Sequence, residues 1–271
     1  MAVNENTAHS EVATLVERIG ALPPEKRKRL IAQNPLSFSQ QRLWIVERLS
    51  QGISVYNVPT VLPLLGEFDA LALERALRDV AIRHESLRTS FPVFDGQPMQ
   101  LVSPHAYLQF AVHDLRTMDG NQRMRALQDR ALREIAAPFD LSCGPLLRAC
   151  AFLVNCDSQF LLAVMHHIVS DGWSQNIFVS EVETLYNAYR AAKEATLQPL
   201  PLQYRDFAIW QRESYTDVGL HEALSYWRER LSGSENILLP LDHPRPPIQR
   251  FDGRARTVNF SRDLKVRLKA I

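Results

Sequence analysis

The feature that most constrains the fold is a pair of apolar segments, Leu146–Val154 and Gln159–His166, that follow each other closely in the chain. A short turn at Asn155–Ser158 separates them, so the pattern predicts two strands joined by that turn. The second segment contains the continuous apolar run Phe160–Met165. Such a run is typical of a strand that is buried on both faces of its sheet. The chain therefore needs a layered architecture with a covered sheet.

Helices and strands alternate in the sequence before and after this pair. The predicted elements are a helix over Ser39–Leu49, a strand over Val58–Leu65, a helix capped by Asp69, a hairpin formed by Leu87–Val93 and Pro98–Val102, a helix over Gln122–Ala136 and a helix that carries Ile177 and Tyr189. Asp95-Gly96 is the predicted turn of the hairpin. A mixed order of this kind predicts an α/β or α+β sandwich, with a mixed sheet flanked by helices, rather than a helical bundle.

Prolines and changes in composition divide the chain into three predicted parts. Residues 1–34 form a polar helical leader, in which Pro23-Pro24 separates two helices, and residues 35–195 form the first domain. The two prolines within Ala195–Gln203 prevent a helix and mark a linker. Residues 196–271 then contain this linker, helices around Tyr204–Glu213 and His221–Leu231, a strand over Arg254–Phe260 and a helix from Ser261 that the chain end interrupts.

Composition excludes several classes of function. The chain has 31 Lys+Arg and 30 Asp+Glu residues, a net charge of +1, so no nucleic acid or anionic membrane is expected as a partner. No secretory signal or apolar span long enough for a membrane helix is apparent. Cys143, Cys150 and Cys156 have neither metal-ligand spacing nor the pattern of a secreted disulfide framework. We therefore expect a reduced, cytoplasmic protein.

The sharpest local pattern is HHIVSDGW, His166 to Trp173, which begins where the buried strand ends. Adjacent strand residues point to opposite faces, so one imidazole faces a cavity and the other packs behind it. This geometry, and the lack of a third Cys or His nearby, predicts no metal site. Histidine suits proton transfer near neutral pH. Asp171 lies near the predicted helix start, where an arginine or backbone N–H groups would hold it, and Gly172 permits close approach of a substrate.

These residues resemble the H-H-x-x-x-D-G motif of condensation domains of nonribosomal peptide synthetases and of related CoA-dependent acyltransferases. Several acyltransferase families share the motif, and four other stretches narrow the resemblance to condensation domains. They occur in the order typical of that family: Leu36–Trp44 (LSFSQQRLW), Arg83–Phe91 (RHESLRTSF), Pro138–Leu141 with Gly144–Arg148, and Tyr204–Trp210 (YRDFAIW).

The resemblance implies a V of two lobes, each like chloramphenicol acetyltransferase, with the histidine motif near their junction. It also implies amide bond formation between a donor acyl or peptidyl thioester and the amine of an acceptor aminoacyl thioester. Both substrates are held on phosphopantetheine arms of carrier domains, and no cofactor is bound directly. His167 is then the catalytic histidine, Asp171 a structural acid, His166 the residue behind the site and Gly172 part of its wall.

Other residues are assigned supporting roles. Arginine keeps its charge and is rarely buried without a carboxylate, so Arg83 or Arg88 is a candidate partner of Asp171. The candidates for the substrate tunnel are Ser170, Trp173 and Ser174.

The resemblance also sets expectations for the extent and partners of the protein. Only the beginning of a second lobe is present, so we expect little or no activity from this chain alone, because a site at a lobe junction is then open to water. Since Met1 lies close to the first motif, the donor is expected in trans, as an acyl-CoA, an acyl carrier or an upstream synthetase that docks on residues 1–34. An adenylation domain is the expected neighbour.

Three functional alternatives remain open at this stage. The DGWS ending favours condensation over epimerisation, and the absence of D-x-x-x-x-D at the position of the histidine motif argues against heterocyclisation. The QQRLW form favours an L-configured donor or a fatty acyl starter. A free-standing CoA-dependent acyltransferase is the second hypothesis. A non-catalytic docking module, in which the histidine motif is structural, is the third.

Overall fold

A four-stranded sheet organises the first part of the protein in the computed structural model, which describes residues 5–50, 54–155, 158–215, 217–235, 240–244, 256 and 258–270. The strands are β1 (Asn57–Pro63), β2 (Thr89–Ser90), β3 (Val93–Phe94), β4 (Gln97–Pro98), β5 (Leu101–Val102), β6 (Gln109–Asp114), β7 (Leu147–Leu153) and β8 (Gln159–His166). The helices are α1 (Glu5–Gly20), α2 (Pro24–Gln33), α3 (Phe38–Ser50), α4 (Ala70–Arg83), α5 (Gly120–Ala136), α6 (Gly172–Arg190), α7 (Tyr204–Ser214), α8 (Asp217–Leu231) and α9 (Arg262–Lys269).

The sheet has the order β1-β8-β7-β6 and mixes both strand directions. β8 runs antiparallel to β1 and to β7, whereas β6 runs parallel to β7. β8 is thus hydrogen-bonded on both sides along its length, and its last residue, His166, is opposite Asn57 of β1. The position of the strand end is therefore fixed by two neighbours.

Both faces of β8 are buried, which confirms the prediction from its apolar run. Leu161, Ala163 and Met165 belong to a cluster with the apolar faces of α4 and α6. Leu162 and Val164 belong to a second cluster, on the other face, with Leu36 and Leu43 and with partly buried residues of α5. The alternation follows from the two-residue period of a strand. A mixed sheet flanked by helices is the fold class that the sequence predicts.

The predicted hairpin is present, but it is divided into two short ladders. β3 pairs with β4 and β2 pairs with β5, and the two ladders share one register. Pro92 lies between them and has no N–H to donate, which explains the interruption. Asp95 and Gly96 have φ of 51° and 78° at the turn, a left-handed conformation that Asp-Gly tolerates well.

The leader is packed onto the hairpin instead of being a separate polar segment. Ile19 of α1 and Ile31 of α2 are buried in a cluster with Phe94 and Met99. Arg27 stabilises the same contact, because its guanidinium donates from Nε and Nη2 to the two carboxylate oxygens of Asp95, both at 2.7 Å. Residues 1–34 therefore contribute buried side chains to a core, which a polar leader would not be expected to do.

The compact units of the chain are Met1–Trp227 and Arg228–Ile271. The first includes α7, whose Ala208 is fully buried. In the second, the hydroxyl of Ser261 accepts a hydrogen bond from the N–H of Leu264 and so caps α9. The predicted division at residues 195 and 196, and the assignment of 196–271 to a second lobe, stay predictions.

Two predicted details differ from the structure or fall partly outside it. The sequence analysis does not anticipate β6, a half-exposed edge strand whose apolar residues form only a short run. The predicted strand Arg254–Phe260 lies partly outside the described residues, and its described positions adopt no regular secondary structure.

Removing a leader side chain tests whether residues 1–34 stabilise the folded unit. We expect Ile31→Ala to lower the free energy of unfolding by about 2 kcal/mol, because a buried isoleucine leaves a cavity between α2 and the hairpin. Ile82→Ala is the matched control, since Ile82 is half exposed, and should change it by less than about 0.5 kcal/mol. Urea denaturation measures the free energy of unfolding of both variants. An equal change in the two would show that the leader contact does not stabilise the folded unit.

Candidate functional site

The histidine motif occupies the turn between the end of β8 and the start of α6. A cavity of about 480 Å³ opens beside this turn. Helix α3, the turn 167–170 and the first turns of α6 and α7 contribute to its wall. The lining residues are Ser39, Gln40, Arg42, Leu43, Val46, Tyr56, Ser86, His167, Ile168, Val169, Ser170, Asp171, Ser174 and Tyr204.

His167 lies in the cavity wall and its ring is held by the turn. Its Nδ1 is 2.7 Å from the carbonyl oxygen of Ser170, and its backbone N–H donates to the carbonyl of Tyr56 at 2.8 Å. A carbonyl oxygen only accepts, so Nδ1 carries the proton of the neutral ring. Nε2 is then unprotonated, and its lone pair is available to accept a proton or a hydrogen bond.

His166 lies behind the site and is only 1% exposed. Its Nδ1 accepts a hydrogen bond from the N–H of Ile168 at 3.1 Å, so Nε2 carries the proton of the neutral ring. Burial, and then the neighbouring charge of His167, lower the pKa of His166 to about 4. His166 is therefore neutral near pH 7, and the two histidines differ in environment and protonation.

A partly buried carboxylate, that of Glu47 of α3, lies close to the ring of His166. Its Oε2 lies 3.6 Å from Nε2 of His166, and burial raises the pKa of the Glu47 carboxyl. Neither of these two atoms has a hydrogen-bond partner within the described part of the chain. The sequence analysis did not identify Glu47, since a single acid on a helix gives no signal of such a contact.

Asp171 caps α6 and takes part in a reciprocal capping box. Its Oδ1 accepts from the backbone N–H of Ser174 at 2.8 Å, while the Ser174 hydroxyl accepts from the N–H of Asp171 at 2.7 Å. Hydrogen bonds from the backbone and then the side chain of Ser174 hold the pKa of Asp171 below its usual value. The carboxylate thus fixes the start of the helix that follows the turn.

Arg83 and Arg88 do not hold Asp171, and this part of the sequence interpretation is wrong. Arg83 Nε is 3.0 Å from Glu181 of α6, which also contacts His84 at 2.7 Å. Arg88 donates to the carbonyl of Ser103 and lies 3.6 Å from Glu85. Local backbone and helix contacts supply Asp171 with partners, so an arginine is not needed.

The remaining predicted residues differ in how they meet the cavity. Ser170 is buried and lines it, and the Ser170 hydroxyl has no hydrogen-bond partner among the described residues. Trp173 is 80% exposed and does not line the cavity. Apart from its own helix turn and chain neighbours, no atom of the described residues lies within 4 Å of a Cβ added to Gly172. Space among the described residues therefore does not require glycine at this position.

A network of buried amides, missed by the sequence analysis, supports the turn from the side of α3. Gln40 Oε1 accepts from the N–H of Ser37 at 3.0 Å, so the amide group is oriented with Nε2 as donor. Nε2 faces the carbonyl of Ile168 at 3.5 Å and Oε1 of Gln100 at 3.4 Å. Gln100 in turn donates to the carbonyl of Pro35 at 2.7 Å. The Ser-x-x-Gln spacing of Ser37 and Gln40, a capping box, was the available signal.

Comparisons with known proteins identify the family. The sequence pattern of the condensation domain matches residues 31–271. This chain belongs to the condensation domain family. One of the linear gramicidin synthase proteins of Brevibacillus parabrevis is 41% identical over 97% of this condensation domain chain and 5% of that protein. Phosphinothricin tripeptide synthetase PhsC of Streptomyces viridochromogenes is 37% identical over 87% of this chain and 22% of that protein.

Solved structures show the same fold. The starter condensation domain of rhizomide synthetase RzmA superimposes with a TM-score of 0.67 at 20% identity, covering 74% of this chain and 48% of that one. The X-domain in its complex with OxyB from teicoplanin biosynthesis gives 0.66 at 30% identity, covering 79% and 47%. This condensation domain chain thus spans about half the length of these structures and a small part of the synthetases.

The described part of the chain contains neither a metal-binding cluster nor a membrane-spanning helix. Within the described ranges, no group of three or more His, Cys, Asp or Glu residues could hold a metal ion. No helix among the described residues is both long enough and apolar enough to cross a membrane.

The amide network of the condensation domain can be tested with an isosteric change. In Gln40→Glu, a carboxylate oxygen replaces the donor and faces the Ile168 and Gln100 oxygens, so we expect the free energy of unfolding to fall by about 1–3 kcal/mol. Gln128→Glu, on the exposed face of α5, is the control and should remain within about 0.5 kcal/mol. Chemical denaturation measures the free energy of unfolding of both variants. An unchanged value for Gln40→Glu would exclude a donor role for the Gln40 amide.

The buried His166 predicts a pH dependence of stability. Its folded-state pKa is lower than the value near 6.5 of the unfolded chain, so protonation favours unfolding. The stability that the fold gains by keeping His166 neutral is fully present above pH ~6.5 and is lost as the pH falls toward 4. Between pH 7 and 5, the wild type should lose on the order of 2 kcal/mol more than His166→Gln, which cannot be protonated. Denaturation at a series of pH values tests this. His221→Gln, at an exposed histidine, should behave like the wild type.

Proposed function

We propose that this chain carries the histidine side of the active site of a condensation domain that forms amide bonds. A donor acyl or peptidyl thioester and an acceptor aminoacyl thioester, on phosphopantetheine arms of carrier domains, would be its substrates. The observation that carries the proposal is that His167 lines the cavity with its Nδ1 held by the Ser170 carbonyl, which leaves Nε2 of the neutral ring unprotonated. The similarity to peptide synthetases along nearly the whole chain supports it.

The reaction follows from this orientation of His167. The acceptor amine attacks the thioester carbonyl carbon, a C–N bond forms, and the C–S bond breaks as the sulfur leaves. The amine nitrogen must lose a proton, and the thiolate must gain one. His167 Nε2 accepts a hydrogen bond from the attacking amine, which orients it, and can take its proton and return it to the sulfur. Because an α-amine has a pKa near 8, orientation contributes even where the amine is already neutral.

The other motif residues hold His167 in place. The Ser170 carbonyl fixes its tautomer, and the Asp171 cap fixes the helix that follows Ser170. His166 closes the space behind the ring without competing for protons, because its pKa is low. We further propose that the donor is L-configured or a fatty acyl starter, that carrier and adenylation domains are the partners, and that the free Cys143 and Cys150 reflect a cytoplasmic location.

A second function is favoured by one comparison. The X-domain, at 30% identity, forms a complex with OxyB. By analogy, this chain would serve as a docking module in which the histidine motif is structural. A docking role predicts that His167 can be removed without effect on product formation, whereas a catalytic role predicts the opposite.

Substitution of His167 separates these possibilities. We expect His167→Ala to slow amide formation by about 10²–10⁴-fold, the usual contribution of a positioned acid–base group, while the thermal unfolding temperature changes little because His167 is exposed. The full-length gene product is assayed with loaded carrier proteins, and the 271-residue chain alone in parallel.

The control is His221→Ala, an exposed histidine that does not line the cavity. Wild-type turnover in His167→Ala would exclude both the base and the orienting role and would favour docking. Turnover of acyl-CoA with a small amine, without any carrier protein, would instead favour a free-standing acyltransferase.

A further inference from the structure

A second and smaller cavity lies beside the one that contains His167. Its volume is about 80 Å³, and it is enclosed by the 3₁₀ turn Glu85–Arg88, the end of β8 and the first turns of α6. The residues that line it are His84, Ser86, Leu87, Met165, Val169, Ser170, Ser174, Ile177 and Phe178. Four of them, Ser86, Val169, Ser170 and Ser174, line both cavities. The smaller space therefore adjoins the reaction site directly.

The wall of this side cavity is apolar and carries no unpaired charge. Leu87, Met165 and Phe178 are buried in the core that joins β8 to α4 and α6. The one ionisable side chain in the wall, His84, is 2.7 Å from the carboxylate of Glu181. An apolar cavity whose wall carries no unpaired charge favours an aliphatic or aromatic ligand group.

Size narrows the choice of ligand group. A cavity needs a volume of about 10–15 Å³ to hold a single water molecule. The side cavity, at about 80 Å³, therefore holds several non-hydrogen atoms but not a long acyl chain. A short branched aliphatic side chain, up to that of leucine, fits this volume and the apolar wall.

One polar atom at the boundary of the two cavities is unused. The hydroxyl of Ser170 is buried, and it has no hydrogen-bond partner in the described part of the chain. A buried hydroxyl without a partner is costly, so a ligand that supplies an acceptor there is stabilised. An aminoacyl group presents a carbonyl oxygen close to its side chain and could satisfy both features together.

We propose that the side cavity is a subsite for the aliphatic side chain of an aminoacyl substrate, with the Ser170 hydroxyl donating to a carbonyl of the same residue. The inference rests on the proposed function, since it takes the substrates to be thioesters of amino acids. Either the donor or the acceptor could supply this aliphatic side chain and carbonyl, and the experiment below distinguishes the two sources.

Binding to the 271-residue chain tests the subsite without requiring catalysis. The ε-methyl group of Met165, in the wall of the side cavity, is observed by NMR during titration with leucyl-N-acetylcysteamine, an acceptor analogue, and N-acetyl-leucyl-N-acetylcysteamine, a donor analogue. We expect one of them to shift this resonance and the matching glycyl compound not to. The compound that acts identifies the source of the side chain.

Variants locate the effect. Ile177→Phe narrows the cavity at a position that is 40% exposed, so the fold tolerates it, and the Met165 response to the leucyl probe should weaken at least about tenfold. Ser180→Phe, on an exposed position of α6 that does not line the side cavity, is the control and should bind like the wild type. Ser170→Ala should weaken binding several-fold by removing the donated hydrogen bond.

Equal shifts with leucyl and glycyl probes, no shift with any probe, or an unchanged response in Ile177→Phe would each overturn the subsite. In the full-length gene product, Ile177→Phe should also lower the kcat/KM preference for leucine over alanine by at least about tenfold. Amide formation itself is measured separately with the wild type. The subsite proposal can therefore be overturned while amide formation is confirmed. Equally, amide formation can be absent while the side cavity still binds the leucyl probe.

Discussion

The pairing of β8 on both of its edges is the constraint on which the site depends. β1 and β7 hydrogen-bond to this strand up to its last residues, and helices cover both faces, so the backbone at His166 has little freedom. Interiors packed in this way resist displacement, because any shift would open cavities or force side chains together. The turn that follows therefore begins at a fixed backbone position. Local hydrogen bonds are then enough to orient His167.

The two histidines lie in different electrostatic environments. His166 is kept neutral by burial, and Glu47 behind it is held partly out of water. His167 is exposed at the cavity, and its Nδ1 is held by the carbonyl oxygen of Ser170. Both residues are histidine, but their positions on opposite sides of the strand end give them different chemistry.

The sequence predicted the parts of this arrangement that depend on local pattern. Burial of β8, the Asp95-Gly96 turn and the opposed histidines all follow from two-residue periodicity or turn chemistry, and the structure has each of them. It failed where a partner is distant in the chain. Arg83 contacts Glu181 and Gln40 contacts Ile168, pairs separated by 98 and 128 residues, and no periodicity encodes which acid or carbonyl a side chain reaches. Edge strand β6 was missed because half exposure weakens its apolar signal.

The contact between the leader and the hairpin bears on how such domains can be exchanged between synthetases. Asp95 both shapes the hairpin turn and receives the guanidinium of Arg27, so one side chain joins two segments that are far apart in sequence. A graft that began at the first family motif would discard Ile19, Ile31 and Arg27 and would expose Phe94 and Met99 to solvent. The boundary of the motif and the boundary of the packed unit are therefore different, and recombination should respect the second.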